Sequence, residues 1–137
     1  MDSIHWTQDY SVQIAEFDKQ HEGLIEILNT LYENRDGSFS QKREVVGVAM
    51  IQLKEYARQH FAAEEKILLQ FNYPEYTKHK EEHQLFIDTV NEFIQIYRSG
   101  SQTLSSKTID FLNKWFLTHI LVTDKQYSPF LNNLGIH

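Results

Sequence analysis

The histidines of this chain stand at spacings that a helix brings to one face. Five of the seven histidines, with two acidic residues, fall in four segments whose apolar residues recur at helical spacing. Two of the resulting pairs are four residues apart, a step that rotates about 40° around a helix, so both members of a pair can point into the same interior. The full set is His21, His60, Glu64, His79, His83, His119 and Asp124.

The apolar periodicity predicts four helices, over residues 18–35, 40–71, 74–98 and 103–131. The breaks carry turn residues: Asp36-Gly37, Asn72-Tyr73-Pro74 and Ser99-Gly100. Short polar connections between long amphipathic helices favour antiparallel neighbours. The prediction is an all-α fold, an antiparallel up-down-up-down four-helix bundle with an N-terminal arm.

The domain organisation follows from these helices. A chain of 137 residues is long enough to bury one core, and it contains no internal repeat. Residues 1–17 contain aromatic and apolar side chains without helical rhythm, and we expect them to pack on the bundle as an arm. The bundle itself is expected over 18–131 as a single domain, followed by a C-terminal tail, 132–137.

Composition excludes several classes of protein. The chain is 41% hydrophobic and 23% charged, which is typical of a globular protein. Its net charge of −6 gives no attraction to nucleic acid or to an anionic membrane, and no stretch reaches the ~20 apolar residues of a membrane span. The absence of cysteine excludes disulfides and thiolate metal sites. A cytoplasmic protein without nucleic-acid partners or membrane insertion is expected.

Each histidine pair, taken alone, has a purely structural explanation. His60 and Glu64 could form a surface pair, His79 and His83 lie in a charged run that could be a solvated face, and His119 could be a core histidine. The combination is more informative. In an antiparallel bundle, all seven side chains fall toward one end.

The spacing of His119 and Asp124 does not fit a regular helix. Five residues rotate the direction of a side chain by about 140° on an ideal α-helix. Both can reach the interior only if they flank the inward direction, or if the helix is locally unwound as in a π-bulge.

Seven protein ligands are too many for one metal ion. If both carboxylates bridge and a hydroxide or oxide also bridges, the donors fill all but one position around two octahedral ions. Histidine with carboxylate suits iron, whereas zinc is disfavoured because it prefers four ligands. The chain has no Glu-x-x-His motif of the ferritin-like oxidases. This absence favours reversible ligand binding over oxygen activation.

The chain resembles the hemerythrin family, specifically its single-domain bacterial members, the bacteriohemerythrins. The motifs that carry this resemblance span nearly the whole chain. The stretches that carry the resemblance are Trp6 with Tyr10-Ser11-Val12, Asp18-Lys19-Gln20-His21, His60-Phe61-Ala62-Ala63-Glu64-Glu65, Tyr73-Pro74, His79-x-x-x-His83 and His119-Ile120-Leu121-Val122-Thr123-Asp124.

The resemblance implies two iron ions (Fe2+/Fe3+) joined by a hydroxide or oxide and bridged by Glu64 and Asp124. His79, His83 and His119 would hold one iron, and His21 and His60 the other, which would be five-coordinate. In the family, dioxygen binds that iron end-on as hydroperoxide, taking one electron from each iron and the proton of the bridge, so that release is reversible. The implied partners are dioxygen and an unidentified protein that accepts it.

The resemblance also implies an apolar oxygen pocket that excludes water, although aromatic residues at helical spacing are more often plain core. Its residues would be Leu24, Phe61, Trp115, Phe116 and Ile120. We expect Asp18 to cap the first helix rather than hydrogen-bond a ligand, and His5 and His137 to be exposed.

Reversible dioxygen carriage, storage or delivery, without catalysis, is the leading hypothesis. The alternatives are an oxygen or redox sensor, for which we expect no output domain in residues 132–137, and a di-iron enzyme acting as oxidase, peroxidase or nitric-oxide-handling protein. Iron storage is disfavoured because the Glu-x-x-His ligands are missing.

Overall fold

The computed structural model describes residues 3–34, 40–98 and 106–137, and over these residues it is helical without β-strands. The breaks predicted at Asp36-Gly37 and Ser99-Gly100 lie outside the described residues. The helices are α1 (Ala15–Glu33), α2 (Ser40–Gln70), α3 (Tyr76–Arg98), α4 (Ser106–Thr118) and α5 (Lys125–Asn133). A 3-10 helix covers Gln8–Tyr10, and a π-helical segment, His119–Asp124, joins α4 to α5.

The helices pack in the order of the chain. Helix α1 lies against α2 and α4, and α3 also lies against α2 and α4. Each helix therefore has its sequence neighbours beside it, and the predicted up-down-up-down four-helix bundle is confirmed.

The predicted fourth helix is interrupted by the π segment. The Lys125 N–H donates to the carbonyl of Ile120, five residues back, where an α-helix would use a carbonyl four residues back. Bonds of this spacing bring residues five apart to nearly the same face. Of the two geometries that let both His119 and Asp124 point inward, the chain adopts the π-bulge.

Helix α2 is followed by a residue in the left-handed conformation, within the break predicted there. Asn72 has φ 57°, which asparagine tolerates better than most residues, and the Tyr73 N–H donates to the carbonyl of Leu68. Helix α3 begins at Tyr76, two residues after the predicted start at Pro74. The connection turns α3 back along α2.

The arm is bound to the bundle by hydrogen bonds to α1 and α5. Asp18 accepts from the Ser11 hydroxyl at 2.6 Å and from the Val12 N–H at 2.8 Å. The Ser128 hydroxyl donates to the carbonyl of Val12. The prediction that Asp18 caps α1 is wrong: the helix begins three residues earlier, at Ala15, and Asp18 holds the arm instead.

The core changes in character along the bundle. At one end the buried side chains are apolar, and at the other, where α2 turns into α3, buried polar side chains replace them. None of the helices in the described ranges is long and apolar enough to cross a membrane.

Candidate metal centre

The structure brings all seven predicted side chains together at one end of the bundle. Helix α1 supplies one, α2 two, α3 two, and the π segment two, and each is at most 3% exposed. The two predicted to lie outside, His5 and His137, are exposed. Burial of so many polar side chains at one place is rare unless they are paired or bind an ion.

The seven side chains form two groups that share both carboxylates. Within each group, the nearest donor atoms all lie within 4.8 Å of one another. The three-histidine group consists of His79, His83, His119, Glu64 and Asp124. The two-histidine group consists of His21, His60, Glu64 and Asp124.

Asp124 directs one oxygen at each group. Its Oδ1 lies 2.9 Å from His119 Nε2 and 3.0 Å from His79 Nε2. Its Oδ2 lies 3.1 Å from His21 Nε2. The carboxylate thus stands between the two groups.

Glu64 repeats this arrangement from the opposite helix. Its Oε1 lies 3.2 Å from His83 Nε2 and 3.5 Å from His79 Nε2. Its Oε2 lies 3.4 Å from His60 Nε2 and 3.5 Å from His21 Nε2. Both carboxylates are therefore oriented as bridges between two positions.

Many of these atoms lie close together without forming hydrogen bonds. Whether an ion fits among them can be tested by comparing their spacing with that of the donors around a bound metal ion. Donors about 2.1 Å from one ion, at right angles, lie about 3 Å apart, which is the spacing found here. Within the described part of the chain, the buried site atoms without a hydrogen-bond partner are His21 Nδ1 and Nε2, His60 Nε2, Glu64 Oε1, His79 Nδ1 and Nε2, His119 Nδ1, and both oxygens of Asp124. The residues present fit two metal ions.

The electrostatics of the site reflect burial opposed by nearby carboxylates. Burial lowers the pKa of His21, but the nearby carboxylates of Asp124 and Glu64 more than offset it and raise this pKa to about 9. The same opposition raises the pKa of His79 to about 10. For His119, burial is outweighed by the charge of Asp124, whose Oδ1 lies 2.9 Å from His119 Nε2, and its pKa rises to about 9.

The pKa values of the two carboxylates are shifted in the opposite direction, downward. Burial would raise the pKa of Glu64, yet the surrounding histidines, His60 first, hold it well below its usual value. Burial and the charge of Glu64 would likewise raise the pKa of Asp124, but His119 and His21 hold it low. For His60, burial prevails over Glu64 and lowers the pKa. The two carboxylates thus remain charged and available to cations.

Three further side chains contact the outer ring nitrogens of the histidines. Gln20 Oε1 lies 2.5 Å from His60 Nδ1, and Glu65 Oε2 lies 2.8 Å from His83 Nδ1. Glu82 Oε2 lies 3.5 Å from His119 Nδ1. The other oxygen of Glu82, Oε1, accepts a hydrogen bond from the Thr123 hydroxyl. Such contacts fix ring orientation and the choice of tautomer.

Tyr127 was not identified as a site residue from the sequence. It is fully buried, and its hydroxyl donates to Glu64 Oε2 at 2.5 Å. Burial and the charge of Glu64 raise its pKa well above the usual value, which keeps the hydroxyl protonated as a donor. Its position three residues after Asp124, on the same helical face, was the available signal.

The predicted oxygen-pocket residues divide between the two groups. Phe61 stacks on His83 with ring centroids 3.8 Å apart, and Trp115 stacks on His119 at 4.7 Å. Phe116 meets His21 edge-on at 6.0 Å. Leu24 and Ile120 are fully buried.

Phe17 was missed by sequence reasoning because it was assigned to the arm. It lies in the first turn of α1 and meets the ring of His60 edge-on at 6.0 Å. Aromatic edges therefore cover both histidines of the two-histidine group.

Two surface clefts reach the three-histidine group. A cleft of about 370 Å³ between α2 and α3 is lined by Phe61, Glu65 and His83 among others. A second, of about 280 Å³ between α3 and α4, is lined by Glu82, Trp115 and His119 among others. This side of the centre is thus close to solvent.

The fold and the site together define an all-α bundle protein with a candidate two-metal centre of histidine and carboxylate. The family model of the hemerythrin HHE cation binding domain matches residues 12–131. A bacteriohemerythrin of Clostridium acetobutylicum is 32% identical over 124 residues, covering 89% of this chain and 96% of the relative. One of Stenotrophomonas maltophilia is 31% identical over 123 residues, covering 90% and 78%.

A solved structure of wild-type hemerythrin superposes with a TM-score of 0.81 at 24% identity, covering 92% of this chain and 95% of the other, and supports the fold. On the family match and the two relatives, the chain belongs to the hemerythrin family.

Proposed function

We propose that this protein binds dioxygen reversibly, for carriage, storage or delivery, at a non-haem di-iron centre bridged by Glu64 and Asp124. The observation that carries the proposal is the division of the seven side chains into two unequal groups that share two carboxylates. Five histidines with two carboxylates suit iron. Two relatives named bacteriohemerythrin, and the family model, agree with this assignment.

The inequality of the groups supports a single ligand-binding position. With His79, His83 and His119 on one side and His21 and His60 on the other, the two-histidine side lacks one protein donor. Iron bound at both positions would supply the electrons for dioxygen binding and one open coordination position. The chain's own contribution is to leave that position free.

The walls around the two-histidine group are suited to exclude water. Phe17 and Phe116 present ring edges to His60 and His21, and Leu24, one turn after His21 on α1, is fully buried. Water and anions that reach a ferrous centre promote its oxidation, so a dry wall favours release of intact dioxygen. Phe61 also contacts His60, with ring centroids 5.8 Å apart, and we propose that Trp115 and Ile120 extend the pocket on the side of the three-histidine group.

The carboxylate of Glu64 is held in place by Tyr127, whose hydroxyl does not act as an acid. Tyr127 donates to Glu64 Oε2, and its raised pKa keeps its proton at the hydroxyl. The hydrogen bond orients the carboxylate without delivering a proton to the ligand. Binding without catalysis is consistent with this arrangement, and we propose a cytoplasmic binding protein rather than an enzyme.

The experiment begins with protein purified after iron-replete growth, in which metal is counted per chain. The sample is then reduced without oxygen and cycled between oxygen and argon while visible absorbance is recorded. We expect two irons per chain and a charge-transfer band that appears with oxygen and disappears with argon, over repeated cycles.

Three results would contradict the proposal. One zinc per chain would exclude a di-iron centre. Irreversible oxidation with consumption of a substrate would indicate a di-iron enzyme. A band that tracks the redox potential of the solution, but not oxygen, would indicate a redox sensor.

A further inference from the structure

The outer contacts of the two histidine groups differ in charge. In the three-histidine group, the carboxylate of Glu65 lies 2.8 Å from His83 Nδ1, and that of Glu82 lies 3.5 Å from His119 Nδ1. In the two-histidine group, His60 Nδ1 meets the neutral amide oxygen of Gln20 at 2.5 Å. His21 Nδ1 has no hydrogen-bond partner among the described residues.

Among the described residues, the two outer carboxylates contact histidines and not lysine or arginine side chains. Within the described part of the chain, neither Glu65 nor Glu82 forms an ion pair with lysine or arginine. Arg58, which lines the same cleft as Glu65, pairs instead with Glu55 at 3.4 Å. Besides the two shared carboxylates, the outer nitrogens of the three-histidine group are therefore contacted by two carboxylates, and those of the two-histidine group by none.

Charge at the outer nitrogen of a ligating imidazole affects the metal on its inner side. A carboxylate that accepts the outer N–H increases the electron donation of the ring, and its own charge favours a more positive ion. Both effects stabilise ferric over ferrous iron, and hydrogen bonding in this outer layer is a known means of tuning redox potential. A neutral amide provides much less of either effect.

We propose that Glu65 and Glu82 are positioning residues that make the iron of the three-histidine group the first to lose an electron. The two-histidine iron, with the open position, then stays ferrous in the half-oxidised centre. This inference rests on the proposed di-iron centre and concerns the order in which its two irons oxidise. When ferricyanide is the oxidant, one electron leaves the three-histidine iron and ferricyanide becomes ferrocyanide.

The two carboxylates should contribute unequally. Glu65 lies at hydrogen-bond distance from His83, whereas Glu82 lies farther from His119 and also accepts from the Thr123 hydroxyl. Glu65 is therefore the stronger of the two. Glutamine at either position keeps the shape and an acceptor oxygen and removes only the charge.

The test is an anaerobic redox titration of the iron-loaded protein and four variants. Glu65→Gln and Glu82→Gln remove the outer charges, and Gln20→Glu adds one beside His60. Glu81→Gln is the control, since this exposed neighbour on α3 loses the same charge. We expect Glu65→Gln to disfavour the first oxidation about tenfold, or ~59 mV for one electron, Glu82→Gln less, and the control not at all.

Mössbauer spectra of the half-oxidised, 57Fe-loaded protein assign the effect to one iron. Glu65→Gln should alter the ferric doublet and Gln20→Glu the ferrous one. A first potential in both Glu65→Gln and Glu82→Gln equal to that of Glu81→Gln would overturn the inference, as would a change confined to the ferrous doublet in Glu65→Gln. Either result in protein that still cycles oxygen leaves the proposed function standing, whereas protein that binds no iron contradicts the function itself.

Discussion

The two ends of the bundle differ in the side chains that they bury. The end away from the metal centre, here the apolar end, is closed by aliphatic and aromatic side chains: Leu28, Leu31, Val46, Met50, Leu53, Val90, Phe93, Ile109 and Leu112. The other, here the site end, buries five histidines and two carboxylates. The same four helices continue through both.

The difference separates what stabilises the fold from what binds a ligand. Apolar burial contributes roughly 25 cal/mol per Å², so the apolar end stabilises itself. A buried polar atom without a partner costs about 1–3 kcal/mol, and the site end contains many. Metal ions supply the missing partners, so metal binding stabilises the site end.

The largest expected effect at the site end is that of Glu64→Ala. Glu64 contributes one oxygen to each group, so its loss should weaken both metal positions together. We expect iron to fall from two per chain toward none, measured by metal analysis after anaerobic loading. Glu55→Ala, an exposed position on the same helix, is the control and should keep both irons.

His21→Ala should have a smaller and one-sided effect. His21 belongs to the two-histidine group alone, whereas His83 belongs to the three-histidine group alone. His21→Ala should mainly lose the iron of the first group, and His83→Ala that of the second, so Mössbauer spectra should lose different doublets. Equal loss of both doublets in each variant would show that the two groups are not separate positions.

The effect of pH on iron loading should be smaller than the effects of these substitutions, but its direction can be predicted. In the metal-free protein the pKa values of His21, His79 and His119 lie at about 9, 10 and 9, above the ordinary 6.5. These shifts stabilise the metal-free fold fully below pH 6.5, and the stabilisation is lost as pH rises through 9–10.

Iron must displace the same protons, so its apparent affinity should rise with pH up to about 9–10. Calorimetry of anaerobic Fe2+ binding in buffers of different ionisation enthalpy should show proton release at pH 7 and less at pH 10. Equal release at both values would contradict the assigned protonation of the empty site.

The smallest expected effect concerns a buried amide outside the site. Asn113 on α4 is fully buried, and neither its oxygen nor its nitrogen has a hydrogen-bond partner among the residues that the structure describes. Unlike the site residues, it belongs to neither metal group. We expect Asn113→Leu to raise the free energy of unfolding by about 1 kcal/mol in urea titrations, with iron content unchanged. Asn91→Leu, at a half-buried position, should change little, and a loss of stability in Asn113→Leu would show that the amide is needed.

Much of the fold and the candidate centre could be predicted because the signals are local. Apolar periodicity and the Asn72-Tyr73-Pro74 break determine helices and a turn within a few residues. Histidine and carboxylate at i,i+4 share a face of one helix, and antiparallel packing then brings four helices to one end. The π segment was one of the two geometries foreseen, since the side chains of His119 and Asp124 point about 140° apart on a regular α-helix.

The contacts between helices could not be predicted in the same way. Gln20 reaches His60 across 40 residues of sequence, and Tyr127 reaches Glu64 across 63. The rotation of each helix about its own axis determines which side chains on neighbouring helices come into contact. The apolar periodicity of the sequence does not determine this rotation precisely enough to predict the pairs. For the same reason, adjacency in sequence to a histidine did not show that Phe61 stacks on His83, or that Phe17 covers His60.

The central claim is that the site end holds two irons between shared carboxylates, and X-ray absorption at the iron edge tests it most directly. For the iron-loaded protein we predict a mixed nitrogen and oxygen shell, with a second iron at about 3.5 Å. The iron–iron scattering should disappear in Glu64→Ala and persist in Glu55→Ala. An iron environment with no iron neighbour in the fully loaded wild-type protein would contradict the account.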